Sequence, residues 1–145
     1  MQQPTRPTAA TQPARRLARA IALGAVAARA WRFLLILLIV GVTYLALTPA
    51  PPQDIDTGWD KLNHVIAFTA LAFAACLCYP ASRRARLLLL CSLLAFGGLI
   101  EALQLLVPSR SSEWGDLLAD SVGIVCGAVM AACVLQAASA KAARA

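Results

Sequence analysis

Residues 99–120 read LIEALQLLVPSRSSEWGDLLAD. An apolar helix carries Glu101 and Gln104 on one side and breaks at Pro108. A short polar loop follows, and the chain then enters a second apolar helix studded with Asp116 and Asp120. An ionisable side chain inside an apolar run is costly, so it needs a structural or chemical reason. The only comparable partner segment is Asp60 to His64, at the start of another apolar run.

The rest of the chain repeats this alternation of apolar block and short polar break. The protein has 145 residues, 60% hydrophobic and 14% charged, with a mean hydropathy of +0.71. A soluble domain carries roughly 25% charged residues. A globule this short has no interior large enough for so much apolar surface, so the composition points to a membrane protein. Residues 31–48 (WRFLLILLIVGVTYLALT) form a first span; eighteen residues at about 1.5 Å each reach roughly 27 Å, enough to cross a bilayer core. Trp31 and Tyr44 are placed as interface anchors, and Pro49, Pro51 and Pro52 end the helix. Further spans fall at 61–79, stopped by Pro80, at 87–107, stopped by Pro108, and at 117–136. The expected fold is an all-α bundle of four transmembrane helices. Residues 1–14, rich in Pro, Thr and Gln, read as a disordered tail. Residues 15–30 read as a basic, loosely amphipathic cytoplasmic segment with Arg15, Arg19 and Arg29 on one face, and 137–145 as a cytoplasmic tail.

Charge sets the orientation. Arg6, Arg15, Arg16, Arg19, Arg29, Arg32, Arg83, Arg84, Arg86, Lys141 and Arg144 lie on one side; only Lys61 and Arg110 lie on the other. Positive charge is retained on the cytoplasmic side, so both termini are expected inside a bacterial cytoplasmic membrane. All seven acids fall in the opposite half. This segregation argues against nucleic acid as the partner of a +6 chain and for anionic inner-leaflet lipid.

With this topology the polar residues converge at the outer ends of spans two, three and four. Asp60 and His64 are i,i+4 on one face. Gly97, Glu101 and Gln104 share a face of span three, and Asp116, Asp120, Gly123 and Gly127 form a stripe on span four. Gly97, Gly123 and Gly127 suit close helix packing. Glu101 lies roughly 9 Å below the outer end of its helix by the helical rise, so it is expected to face the bundle interior. With Lys61 and Arg110, these residues define a candidate polar pocket: Asp60, Lys61, His64, Glu101, Gln104, Arg110, Asp116 and Asp120. The five cysteines all lie within spans and none in an outer loop, which argues against a structural disulfide; Cys76 and Cys78 read as small packing residues.

Two of these blocks carry a resemblance. DKLNHVIAF (60–68) and IEALQLLVPSRSSEWGDLLADSVGIVCG (100–127) resemble the two signatures of the VanZ-like membrane protein family, the second an E-x-x-Q followed by proline, arginine and D-x-x-x-N/D-x-x-G. The resemblance covers about residues 31–135 and lands on Asp60, Lys61, His64, Glu101, Gln104, Arg110, Asp116, Asp120 and Gly123. Asp120 stands where the family more usually has asparagine, which adds local negative charge. The family takes its name from a link to low-level resistance to the glycopeptide teicoplanin, so the resemblance implies an envelope protein rather than a particular reaction.

Three functions fit these residues. The first is binding: an outward-facing pocket for a lipid headgroup, a lipid-linked envelope intermediate or a lipoglycopeptide, with Arg110 gripping a phosphate or carboxylate. The second is a small membrane enzyme in which His64 and Glu101 act as acid and base on a lipid phosphate. The third is an accessory subunit whose polar cluster fixes helix register while its surface docks another copy or another membrane protein. Blander readings stand beside these: His64 bonded to Asp60, Glu101 a staple to His64, Gln104 or Arg110, Asp116 an N-cap, Asp54, Asp56 and Glu113 solvated loop charges. No cofactor motif is present, although three acids at one level offer oxygen ligands of the kind Mg²⁺ or Ca²⁺ takes. Binding, rather than catalysis, is the expected role.

Overall fold

In a computed structural model, which describes residues 11–49, 59–108 and 113–144, the described chain is four helices: α1 (Thr11–Leu47), α2 (Asp60–Cys78), α3 (Arg83–Gln104) and α4 (Trp114–Arg144). Each contains a segment long and apolar enough to cross a membrane: 26–47, 60–78, 83–104 and 114–140. The boundaries follow local chemistry. The residue before a proline is pushed out of the helical region, and α2 stops one residue short of Tyr79-Pro80. Ser82 caps α3, its hydroxyl accepting from the Ala85 amide at 3.2 Å. Arg86 folds back to donate to the carbonyls of Tyr79 and Pro80, closing the turn. At its other end α3 tightens: Leu106 bonds to Leu103 and Val107 to Gln104 just before Pro108.

Several boundaries differ from the sequence reading: α3 runs Arg83–Gln104 rather than 87–107, and α4 continues past 136 to Arg144. The basic segment and the first span are one continuous helix of 37 residues, beginning at Thr11 inside the stretch read as a tail. Alanine, arginine and leucine are all strong helix formers, so a change from charged to apolar composition does not interrupt the backbone, and Pro13 falls in the first turn, where its missing donor is harmless. Helix α4 begins at Trp114, three residues earlier than the span assigned at Leu117. Residues 1–10, the loop acids Asp54 and Asp56, and Arg110 lie outside the described residues.

α2 is the central helix. From Leu71 to Cys78 every residue except Phe73 is buried, and most are small, so neighbours come close. α4 packs most extensively against it. Ideal Cβ atoms on Gly123 and Gly127 would fall on the α2 backbone: the first 2.6 Å from the Val65 carbonyl, the second against the Thr69 carbonyl and 2.8 Å from the Phe73 nitrogen. The core adds Leu35 from α1, Leu93 from α3 and Ile124 from α4. Trp31 makes an edge-on stack with Phe73 at 5.6 Å. Nearby, Arg32 lies over the Tyr79 ring. Outward-facing Phe33, Ile36, Val40, Leu87, Leu88, Val122, Val125 and Val129 are exposed. So continuous an apolar exterior fits lipid and not water. Cys76 and Cys78 are buried, Cys91, Cys126 and Cys133 lie on the exterior, and all five are free thiols.

Candidate functional site

Among the described residues, five polar side chains are buried: His64, Glu101, Gln104, Asp116 and Asp120. All five sit at the same end of the bundle, at the start of α2, the end of α3 and the start of α4. The opposite end carries the Ser82–Arg86 turn and Arg32.

His64 is the hub. Its Nδ1 lies 2.8 Å from Asp120 Oδ1, and its Nε2 lies 3.8 Å from Glu101 Oε1. An ionised carboxylate only accepts, so Nδ1–H donates to Asp120. The Glu101 contact is too long for a hydrogen bond and is electrostatic. Thus α2, α3 and α4 meet through one imidazole. The i,i+4 spacing keeps Asp60 within 4.8 Å of the ring, and Nδ1 is also bonded to Asp120, 56 residues away. Asp120 is fully buried. Its Oδ2 faces the bare Cα of Gly97, where a Cβ would collide with the carboxylate. Gly97 therefore makes room for a side chain, whereas Gly123 and Gly127 make room for a helix backbone.

A second layer lies closer to the helix ends. Lys61 Nζ is 2.7 Å from Glu113 Oε2 and 3.7 Å from Asp116 Oδ1. Its stem passes over Gly115, where a Cβ would sit 2.7 Å from Lys61 Cε. Both Lys61 and Glu113 are substantially exposed, and the Lys61 hydrogen bond holds the Glu113 carboxyl below the ordinary range for glutamate. Glu113, read as a solvated loop charge, is thus tied to α2, and Gly115 belongs beside it. Asp116 is not an N-cap. It is the third residue of α4, its amide bonded to the Glu113 carbonyl at 2.9 Å. A negative charge in a first turn is favourable all the same. Gln104 Nε2 donates to the Ala46 carbonyl at 3.1 Å, which uses one of the orphan acceptors at the end of α1. Only the sequence separation of 58 residues hides that contact from a reader of the chain.

Acceptors outnumber donors here. Gln104 Oε1, Asp116 Oδ1 and Asp120 Oδ2 are buried and accept no hydrogen bond, although native interiors leave few such atoms unsatisfied. Among the described residues, Asp60, Glu101, Glu113, Asp116 and Asp120 gather around Lys61 and His64.

Four membrane-length helices with their buried polar groups collected at one end define a four-helix membrane protein. A family model described as VanZ/LLP1 matches residues 29–136, a stretch containing nearly all of α1's apolar part, α2, α3 and most of α4. The chain belongs to that family. No curated protein and no solved structure matched it.

Proposed function

We propose that the polar end of the bundle binds the head of a lipid that supplies hydrogen-bond donors: sugar hydroxyls or an amine. A lipid-linked envelope intermediate and a lipid-tailed glycopeptide such as teicoplanin both have that chemistry. The observation that carries this reading is the pair of buried, unsatisfied acceptors, Gln104 Oε1 and Asp116 Oδ1, in an acidic setting. The lipid-facing exterior lets an acyl or isoprenyl tail remain in the bilayer while its head enters. The distribution of basic residues supports a bacterial cytoplasmic membrane with both termini inside and this site facing outward.

The test is thermal unfolding of the detergent-purified protein with three probes: phosphatidylethanolamine, phosphatidylcholine, whose head has no hydrogen-bond donor, and an isoprenyl-linked amino sugar. A ligand at a hundredfold excess over its Kd stabilises the folded state by about 2.7 kcal/mol. The amine or the sugar lipid should raise the melting temperature of the wild type by that equivalent. Gln104→Met should fold and lose the gain. Equal stabilisation by phosphatidylcholine, or a gain undiminished in Gln104→Met, contradicts the reading.

A second reading is favoured by one contact. A carboxylate on Nδ1 that orients a histidine, as Asp120 orients His64, is the arrangement of a general base. Hydrolysis of a lipid phosphate by the wild type, abolished in His64→Gln, would support catalysis over binding.

A further inference from the structure

We propose that Asp60, His64 and Asp116 form a binding site for a divalent transition-metal ion. One ring nitrogen of His64 and one carboxylate oxygen from each aspartate all lie within 4.8 Å of one another. One imidazole and two carboxylates form a mixed nitrogen–oxygen donor set of the kind Zn²⁺ and Mn²⁺ accept. Three protein ligands leave at least one coordination position open.

Two further observations point to an ion rather than a fortuitous cluster of acids. First, Asp116 is 1% exposed, and its Oδ1 accepts no hydrogen bond. The ammonium of Lys61 stands off at 3.7 Å and is committed at 2.7 Å to Glu113. A buried carboxylate oxygen left in this state lacks a cation at bonding distance. Second, His64 already carries the support that metal-bound histidines usually have. Asp120 takes Nδ1 at 2.8 Å, which fixes the ring; the other nitrogen, Nε2, stands 3.8 Å from Glu101 Oε1. Metal-ligating imidazoles characteristically donate their other N–H to a carboxylate in this way. Donors around a tetrahedral ion at about 2.1 Å stand roughly 3.4 Å apart. The triad therefore needs a small inward movement, and Asp60 is exposed at the first position of α2, where a side-chain rotation can supply it. A divalent ion would also balance the two aspartate charges.

The inference goes beyond headgroup binding; it assigns Asp116 Oδ1, one of the two acceptors on which that reading rests, to the ion. An ion at Asp60, His64 and Asp116 would leave Gln104 Oε1 to a headgroup donor and offer its open position to a phosphate oxygen.

The experiment uses Zn²⁺ alone as the probe, so its failure leaves the headgroup reading standing. The full chain, free of affinity tag and in detergent, is stripped with chelator and titrated by calorimetry, with metal content measured after dialysis. The wild type should bind one Zn²⁺ per chain. Asp60→Asn, an exposed change that keeps the fold, should weaken binding at least tenfold. Asp116→Asn should remove the saturable site. Lys61→Gln, which deletes the competing ammonium, should keep the site and tighten it. A thermal melt without metal confirms that each variant is folded. No saturable Zn²⁺ in the wild type, or wild-type affinity in Asp60→Asn, overturns the proposal.

Discussion

Replacing Asp120 with alanine is expected to destabilise the protein by about 3 kcal/mol, because removing one member of a buried charged or hydrogen-bonded pair strands the other. Asp120 is fully buried and is the acceptor for His64 Nδ1–H. In Asp120→Ala that donor loses its acceptor and a gap opens beside Gly97. Asp120→Asn should behave differently. Its amide oxygen can still accept from Nδ1–H, and it removes one negative charge from an acid-rich site, so the loss should be about 1 kcal/mol. Unfolding both variants in mixed micelles with a denaturing detergent separates the cases. Equal losses in the two would mean that the charge of the carboxylate, and neither an acceptor oxygen nor side-chain volume, is what stabilises this position.

Gly127→Val is expected to cost a similar amount, about 3 kcal/mol, by a different route. A Cβ at this position would strike the Thr69 carbonyl and lie 2.8 Å from the Phe73 nitrogen and 2.9 Å from the Ala72 Cβ. Two of those three atoms are α2 backbone and cannot swing aside, so the α2–α4 contact must open along its length. Overpacking of this kind costs about 1–3 kcal/mol and sometimes more. In a bilayer, helices gain nothing from hiding apolar surface from lipid. Close van der Waals contact is what holds them, and separation removes it. Gly41 supplies the control, with nothing within 4 Å of its ideal Cβ. Gly41→Ala should be neutral or stabilising by up to about 1 kcal/mol through helix propensity. A Gly127→Val protein that melts with the wild type would show that α2 and α4 do not pack as described.

The four helices were legible in the sequence because prolines punctuate the apolar blocks at Pro49, Pro80 and Pro108, and because membrane length is a composition signal. The level of the polar groups was legible for the same reason: helical rise converts residue number into depth. Rotation was not. That His64 meets Asp120 as well as its neighbour Asp60 depends on how α2 turns toward α4, and that is set by Gly123 and Gly127 lying on the α2 backbone. Gly97 reads as a packing glycine, but its space is taken by the Asp120 carboxylate, a contact between helices that spacing along one helix does not encode. Glu113 reads as a loop charge because its partner Lys61 is 52 residues away. The continuity of α1 was hidden by a change in polarity to which the backbone is indifferent.

The most direct measurement is native mass spectrometry of the wild type released gently from its own membrane, beside Glu101→Gln and Asp116→Asn. If the bundle end is a headgroup site, the wild type carries one lipid of defined mass with an amine or sugar head, and both variants fold but lose it. If all three carry the same mixture of bulk lipids, the cluster fixes helix register only, and the headgroup proposal is wrong.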